Sequence, residues 1–250
     1  MYNPFSLAGK SILVTGASSG IGAATAIECS KMGAKVILVA RNSERLLQTM
    51  EKMENRGLHQ VYSVDLSDDG AISKLINFIE SPLNGIVHSA GVTITKPFQY
   101  LSREDLNGIM RVNFEAPVLL TQQLVKCKKI QKMASVVFIS SVSGVYCSSF
   151  AGSAYSASKG AINGIVKGMA IDLASREIRV NCINPGMVHS NILSEGIITQ
   201  EQLDNDVKRY PLKRYGEPSE VAQAAVYLLS DTTKWMTGSN LLIDGGYTLL

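Results

Sequence analysis

Tyr155 and Lys159 stand four residues apart in Ser153-Ala154-Tyr155-Ser156-Ala157-Ser158-Lys159, a spacing that puts both side chains on one face of a helix. A free phenol titrates near ~10 and neither gives nor takes a proton readily at neutral pH. An ammonium beside it favours the phenolate and lowers that value, the tuning a general acid or base needs. A Tyr-x-x-x-Lys pair alone is an ordinary feature of helix surfaces, so its surroundings have to decide whether it works.

A second signal lies near the start of the chain. Thr15-Gly16-Ala17-Ser18-Ser19-Gly20-Ile21-Gly22 sits between an apolar run, 11–15, and a stretch of helical period. Glycine in such a turn permits positive φ and lets the backbone approach a pyrophosphate; the free N–H groups and dipole of the helix start favour the anion. The spacing is G-x-x-x-G-x-G, without the Gly-Lys-Ser/Thr ending of a nucleotide triphosphatase loop. The next apolar run ends Val39-Ala40-Arg41-Asn42, with no carboxylate before Glu44. An acidic residue there would bond a ribose 2′-hydroxyl, whereas arginine offers a planar fork to a 2′-phosphate. Arg41 therefore makes NADP(H) the expected cofactor, with NAD(H) second.

The elements that must position these groups follow from periodicity. Apolar runs at 11–15, 35–40, 60–64, 85–89, 135–140, 178–183 and 240–243 read as strands, and 21–32, 43–55, 69–79, 103–126 and 154–175 as helices. The runs are continuous, as expected for strands covered by helices on both faces. This predicts an α/β fold: a Rossmann-type, doubly wound parallel sheet of about seven strands. The chain, 1–250, has no internal repeat or linker, so one domain is expected, with a substrate loop and a short helix around 187–216.

Composition excludes other classes. Hydrophobic residues are 46 % of the 250, enough for a large core and too many for dominant disorder. A net charge of +3, without basic residues interleaved with aromatics, gives nucleic acid no footing. No apolar run reaches the ~18–20 residues that a membrane helix needs. Cys29, Cys127, Cys147 and Cys182 lack metal or disulfide spacing, so no metal site is expected. Met1 to Leu7 shows no basic-then-apolar leader, and a cytoplasmic location is the expectation. Charged residues are only 18 %, which suggests that some surface is covered by another subunit.

Together the motifs resemble the short-chain dehydrogenase/reductase family, and the resemblance runs end to end. Thr15–Gly22 matches its cofactor turn and Tyr155-x-x-x-Lys159 its active-site motif. Asp65-Leu66 matches the segment against the adenine, and His88-Ser89-Ala90-Gly91 stands where Asn-Asn-Ala-Gly is usual. Ser140-Ser141-Val142-Ser143-Gly144 ends the fifth strand; the resemblance picks Ser141 as the catalytic serine, with Ser143 the alternative. Asn113 falls at the fourth catalytic position. Asn184-Pro185-Gly186-Met187-Val188-His189-Ser190 matches the loop that holds the nicotinamide amide, with Ser190 in place of threonine, and Asp244-Gly245-Gly246 the C-terminal signature.

The resemblance implies a catalytic set of Asn113, Ser141, Tyr155 and Lys159. It implies a cofactor set of Gly16, Ser18, Ser19, Gly20, Ile21, Gly22, Arg41, Asp65, Leu66, Ala90, Gly91, Tyr155, Lys159, Pro185, Gly186, Val188 and Ser190. The nicotinamide would exchange a hydride with a carbonyl or secondary alcohol. The nearest overall resemblance is to 3-oxoacyl-[acyl-carrier-protein] reductases, with Arg176 and the cluster Lys126, Lys128, Lys129 and Lys132 as candidate carrier-docking cations. Sugar, polyol or steroid carbonyls stay open, as does a non-catalytic NADPH-binding sensor. Family members of this type also imply a homotetramer built on 103–126, 154–175 and the C-terminal strand region, where Gly160, Ala161, Gly164 and Gly168 of the second helix would allow close helix approach.

Overall fold

The structure, a computed structural model, describes residues 2–189 and 200–250. The strands are β1 (Ser11–Thr15), β2 (Lys35–Ala40), β3 (Gln60–Ser63), β4 (Leu83–His88), β5 (Ile130–Ile139), β6 (Arg179–Pro185) and β7 (Asn240–Ile243). All pair in parallel, in one seven-stranded sheet of order β3-β2-β1-β4-β5-β6-β7. The helices are α1 (Gly20–Lys31), α2 (Ser43–Met50), α3 (Ala71–Phe78), α4 (Arg103–Met110), α5 (Ala116–Lys126), α6 (Ser153–Asp172), α7 (Gln200–Val207) and α8 (Pro218–Leu229).

Alternate strand residues serve opposite faces, which explains the continuous apolar runs. Ile12, Val14, Val36 and Leu38 pack with Ala26 and Cys29 of α1 and with Val221, Ala225 and Leu229 of α8. Leu13, Ile37, Val136 and Phe138 pack on the other side with Leu75 of α3, Leu120 and Leu124 of α5, and Ile162 and Val166 of α6.

Several boundaries differ from expectation. The expected helix 43–55 stops at Met50, and turns follow to the left-handed Asn55. The fifth strand begins at Ile130, five residues early, because Gln131, Lys132 and Met133 form an exposed, polar-patterned lead-in. The expected helix 103–126 is α4 and α5 joined by a π turn, Arg111–Glu115, which carries Asn113. Helix α8 was not anticipated. Its marks are in the sequence: Pro218 at the first turn, a Glu217/Glu220 capping box, and the helix-forming run that follows.

Candidate active site

Strand β1 lies between β2 and β4, so the chain winds away from it in both directions and leaves a crevice at the strands' carboxyl ends. A cleft of about 460 Å³ opens there, floored by Thr15, Val39, Val64, His88 and Ile139. At one side begins α1. Its N-cap, Ser19, makes no side-chain cap bond, and its first turn carries no acidic residue. The helix start thus offers uncommitted N–H donors and an uncompensated positive dipole end to an anion.

The glycines have distinct jobs. Gly16 has φ +68°, and a Cβ there would lie 2.7 Å from the Ala90 nitrogen, so only glycine lets β1 and β4 close at their tips. Thr15 strengthens that junction: its hydroxyl accepts the Ser89 and Ala90 N–H groups, each at 3.2 Å. Gly22 faces away from the cleft, where a Cβ would stand 2.2 Å from the Gly16 carbonyl oxygen. It is a packing glycine.

At the cleft's far rim, Arg41 leaves β2 with its guanidinium exposed and 3.6 Å from Asp65. Burial works to raise the Asp65 carboxyl's pKa, but hydrogen bonds from Ser67 and the charge of Arg41 more than offset it, leaving it below its ordinary value. Arg45 lines the same rim. Asn42 caps α2 by accepting the Arg45 N–H at 2.9 Å, placing this second guanidinium one helical turn beyond Arg41. An open helix start, a glycine-only approach and paired arginines fit a dinucleotide bearing an extra phosphate.

At the other end stand Tyr155 and Lys159 of α6. The Lys159 ammonium is 5.7 Å from the Tyr155 ring centre and donates to the Ile139 carbonyl at 2.9 Å. Burial pushes its pKa down to about 8, with a small opposing effect from Cys182. The Tyr155 phenol is raised above its usual 10 by loss of solvent, partly countered by a hydrogen bond with Ser141. This corrects the expectation that the lysine would lower the phenol: loss of solvent sets the direction, and the opposing influence comes from Ser141. Ser141 also accepts the Ser143 N–H at 3.1 Å, so Ser141, not Ser143, is the serine joined to the tyrosine.

Asn113 is buried in the π turn, an irregularity often found at functional sites. Its Oδ1 accepts the Val92 N–H at 2.8 Å, and its Nδ2 donates to the Val92 carbonyl and the Ser158 hydroxyl at 2.9 and 3.0 Å. The amide thereby clamps the strand tip at Gly91, where a Cβ would lie 3.6 Å from the Lys159 Nζ.

Residues 16–248 match a family model described as Enoyl-(Acyl carrier protein) reductase. The chain belongs to the short-chain dehydrogenase/reductase family. A tropinone reductase homologue of Arabidopsis thaliana is 36 % identical, over 98 % of this chain and 94 % of its own. Glucose 1-dehydrogenase of Gluconobacter oxydans is 33 % identical, over 97 % and 93 %. A solved 3-oxoacyl (acyl-carrier-protein) reductase of Agrobacterium tumefaciens with NADP bound superposes with a TM-score of 0.89 at 29 % identity, covering 98 % and 96 %.

In this dehydrogenase/reductase, Gly16, Ser18, Ser19, Gly20 and Ile21 line the cleft, as do Arg41, Asp65 and Leu66. So do Ala90, Gly91, Val188, Tyr155 and Lys159. Pro185 and Gly186 sit behind it: Pro185 accepts the Val142 N–H at 3.0 Å, and Gly186 donates to Ile243 at 2.9 Å. They link β5, β6 and β7. Ser190 lies outside the described residues. Sequence reasoning missed Arg45, although its place four residues after Arg41 on a helix marks it. It also missed Ser67, two residues beyond Asp65, and Thr15 as the strand-tip clamp. Among the described residues, no group of three or more His, Cys, Asp or Glu side chains could hold a metal.

Proposed function

We propose that this enzyme is an NADP(H)-dependent reductase of a small-molecule carbonyl, running in reverse as a secondary-alcohol dehydrogenase. One observation carries this: Tyr155 and Lys159, with Ser141 hydrogen-bonded to the tyrosine, and the Arg41–Arg45 pair stand at opposite ends of one cleft lined by Tyr155, Lys159 and both arginines, with the uncapped start of α1 beside it. The nicotinamide cofactor, when bound, supplies or takes the hydride. Tyr155 gives its proton to the oxygen of the carbonyl being reduced. Its raised pKa suits that direction, because the phenol stays protonated at neutral pH. Ser141 donates a hydrogen bond to the same oxygen as charge develops. Lys159 holds the ribose hydroxyls and completes, with Asn113, the path that returns a proton to Tyr155.

The 3-oxoacyl thioester expectation has to meet the state of the basic residues. The Arg176 guanidinium donates to the Val125 and Ile130 carbonyls at 3.4 and 3.0 Å, tying the end of α5 to β5. Lys129 donates to the Ile79 carbonyl, and Lys132 pairs with Glu177 at 2.7 Å. Of the five candidate cations, Lys126 and Lys128 are left without a described bond. A free small molecule is therefore the favoured substrate, 3-oxoacyl thioesters included, over one presented on an acyl carrier protein. Sugar, polyol and steroid carbonyls are the rival class.

No described helix is long and apolar enough to cross a membrane. We propose a homo-oligomer resting on α4, α5 and α6, whose Leu106, Leu119 and Ile171 are exposed. Gly164 and Gly168 have open space above them, whereas Gly160 is turned inward against Gly144.

NADPH consumption with a panel of ketones, sugars, coenzyme A thioesters and carrier-bound thioesters tests the function. Selective turnover of one class supports the proposal and names the substrate. Cofactor binding without turnover across the panel would replace the enzyme by a sensor.

A further inference from the structure

Directly behind Lys159 lies a buried polar knot that the reaction, as derived above, does not use. Asn163 is one turn along α6 and only 3 % exposed. Its Nδ2 donates to the Ser140 hydroxyl at 2.8 Å and to the Lys159 carbonyl at 2.9 Å. The Ser140 hydroxyl itself donates to the same carbonyl at 3.0 Å. Beneath them the Cys182 thiol of β6 reaches the Asn163 Oδ1 at 3.2 Å. The amide's orientation is settled by this set, since two acceptors face its nitrogen and a thiol faces its oxygen.

Helix interiors rarely carry asparagine, because its side chain competes for backbone bonds. Here that competition is put to use across two elements. Lys159 is joined to the tip of β5 twice: through its ammonium to the Ile139 carbonyl, and through its own carbonyl to Ser140. Asn163 closes the second link by holding both its partners. Ser140 directly precedes Ser141, so what holds the Ser140 hydroxyl against α6 also sets how Ser141 approaches that helix. With Asn163 in place, the Ser141 and Tyr155 hydroxyls are held on a common frame.

We propose that Asn163 is a positioning residue: with Ser140 it fixes α6 against the end of β5 and so sets the alignment of the Ser141 hydroxyl with the Tyr155 phenol. The proposal rests on the carbonyl-reductase function above for its kinetic consequences, but its structural claim does not need turnover. Removing the amide leaves the Ser140 and Lys159 partners slack within a buried site, and a displacement on the order of 1 Å in a reacting constellation costs about a hundredfold in rate.

Three variants test it: Asn163→Ala, Ser140→Ala and the control Ser135→Ala. Ser135 lies mid-strand in β5, five residues before Ser140, where its buried hydroxyl donates to the Leu228 carbonyl at 2.7 Å, away from Lys159 and Asn163. The expected result is a kcat at least tenfold lower in Asn163→Ala and Ser140→Ala, at unchanged KM for NADPH, with the double variant no worse than the more damaging single one. Ser135→Ala should lose thermal stability and keep its kcat. In parallel, the 13C resonance of the Tyr155 Cζ, assigned by its loss in Tyr155→Phe, reads the phenol's hydrogen bonding without any substrate. It should move in Asn163→Ala and stay in Ser135→Ala. Equal kcat in all three folded variants, with an unmoved resonance, overturns the proposal. If the wild-type chain reduces nothing on the panel, the function falls, and the resonance still decides the role of Asn163. Should Asn163→Ala fail to fold, Ser140→Ala carries both readouts.

Discussion

Lys159 holds its ammonium 5.7 Å from the centre of the Tyr155 ring while donating to the Ile139 carbonyl at 2.9 Å. The lysine is thus pinned by the sheet, and loss of solvent raises the phenol's pKa against the Ser141 hydrogen bond, which keeps its proton on. Tyr155→Phe should lower turnover by about 10²–10⁴-fold, the usual range for a lost general acid. Its NADPH dissociation constant, read by cofactor fluorescence, should be unchanged. Substantial residual turnover would remove Tyr155 from the reaction.

On the proposed NADP(H) function, the two arginines at the cleft rim should divide the recognition of a 2′-phosphate. Arg41 already faces Asp65 at 3.6 Å, so part of its charge is answered within the protein. Arg45 has no such described partner and should carry at least an equal share. Single Arg41→Ala and Arg45→Ala variants should each weaken NADPH binding by about tenfold or more, as expected for loss of a charge-assisted bond, and leave NADH almost untouched. Parallel titrations with both cofactors decide this; equal losses for NADH and NADPH would mean the arginines only shape the rim.

Most of this arrangement was legible in the sequence because its signals are local. A glycine turn after an apolar run, a Tyr-Lys pair at helical spacing and an arginine ending a strand each announce themselves within eight residues. What stayed hidden depends on contacts between distant segments. The π turn at Asn113 has no sequence mark, since Val92, twenty-one positions away, supplies the partner for its amide. The pKa of Tyr155 followed burial, which spacing does not report. Gly22 looked like a cofactor residue until Gly16 was seen against it. Arg176 sat where a docking cation was expected, and only the carbonyls of Val125 and Ile130 show it to be occupied.

The cofactor turn permits a clean separation of backbone conformation from packing. Gly20 has φ +51° with open space around an added Cβ, whereas at Gly22 that atom would lie 2.2 Å from a backbone oxygen. Gly20→Ala should therefore cost about 1 kcal/mol, the penalty of a left-handed alanine. Gly22→Ala must push α1 off the turn and should cost about 3 kcal/mol or more. For a chain of this size the melting temperature should fall by about 3 °C and about 10 °C respectively. A Gly22→Ala loss smaller than that of Gly20→Ala, followed by circular dichroism, would show that φ and not packing governs the turn.

His88 supplies the pH dependence. The Thr121 hydroxyl donates to the Pro117 carbonyl at 2.9 Å, so it accepts the His88 Nε2–H at 2.8 Å. The Nδ1 is left buried with no partner, and the ring lies stacked on Phe138 with centroids 4.7 Å apart. Burial drives the imidazole's pKa down from 6.5 to about 3. The folded protein therefore refuses a proton that the unfolded chain accepts, and the unfolded state gains as pH drops. Stability from this group is complete above pH ~6.5 and is lost progressively as pH falls toward ~3. Between pH 7 and 4.5 the loss is on the order of 3 kcal/mol. His88→Asn keeps a side chain able to bond Thr121 but does not titrate, so its urea midpoint should fall less than the wild type's over that interval. Identical falls in the two chains would mean that His88 is protonated in the folded state and that its Nδ1 has found a partner.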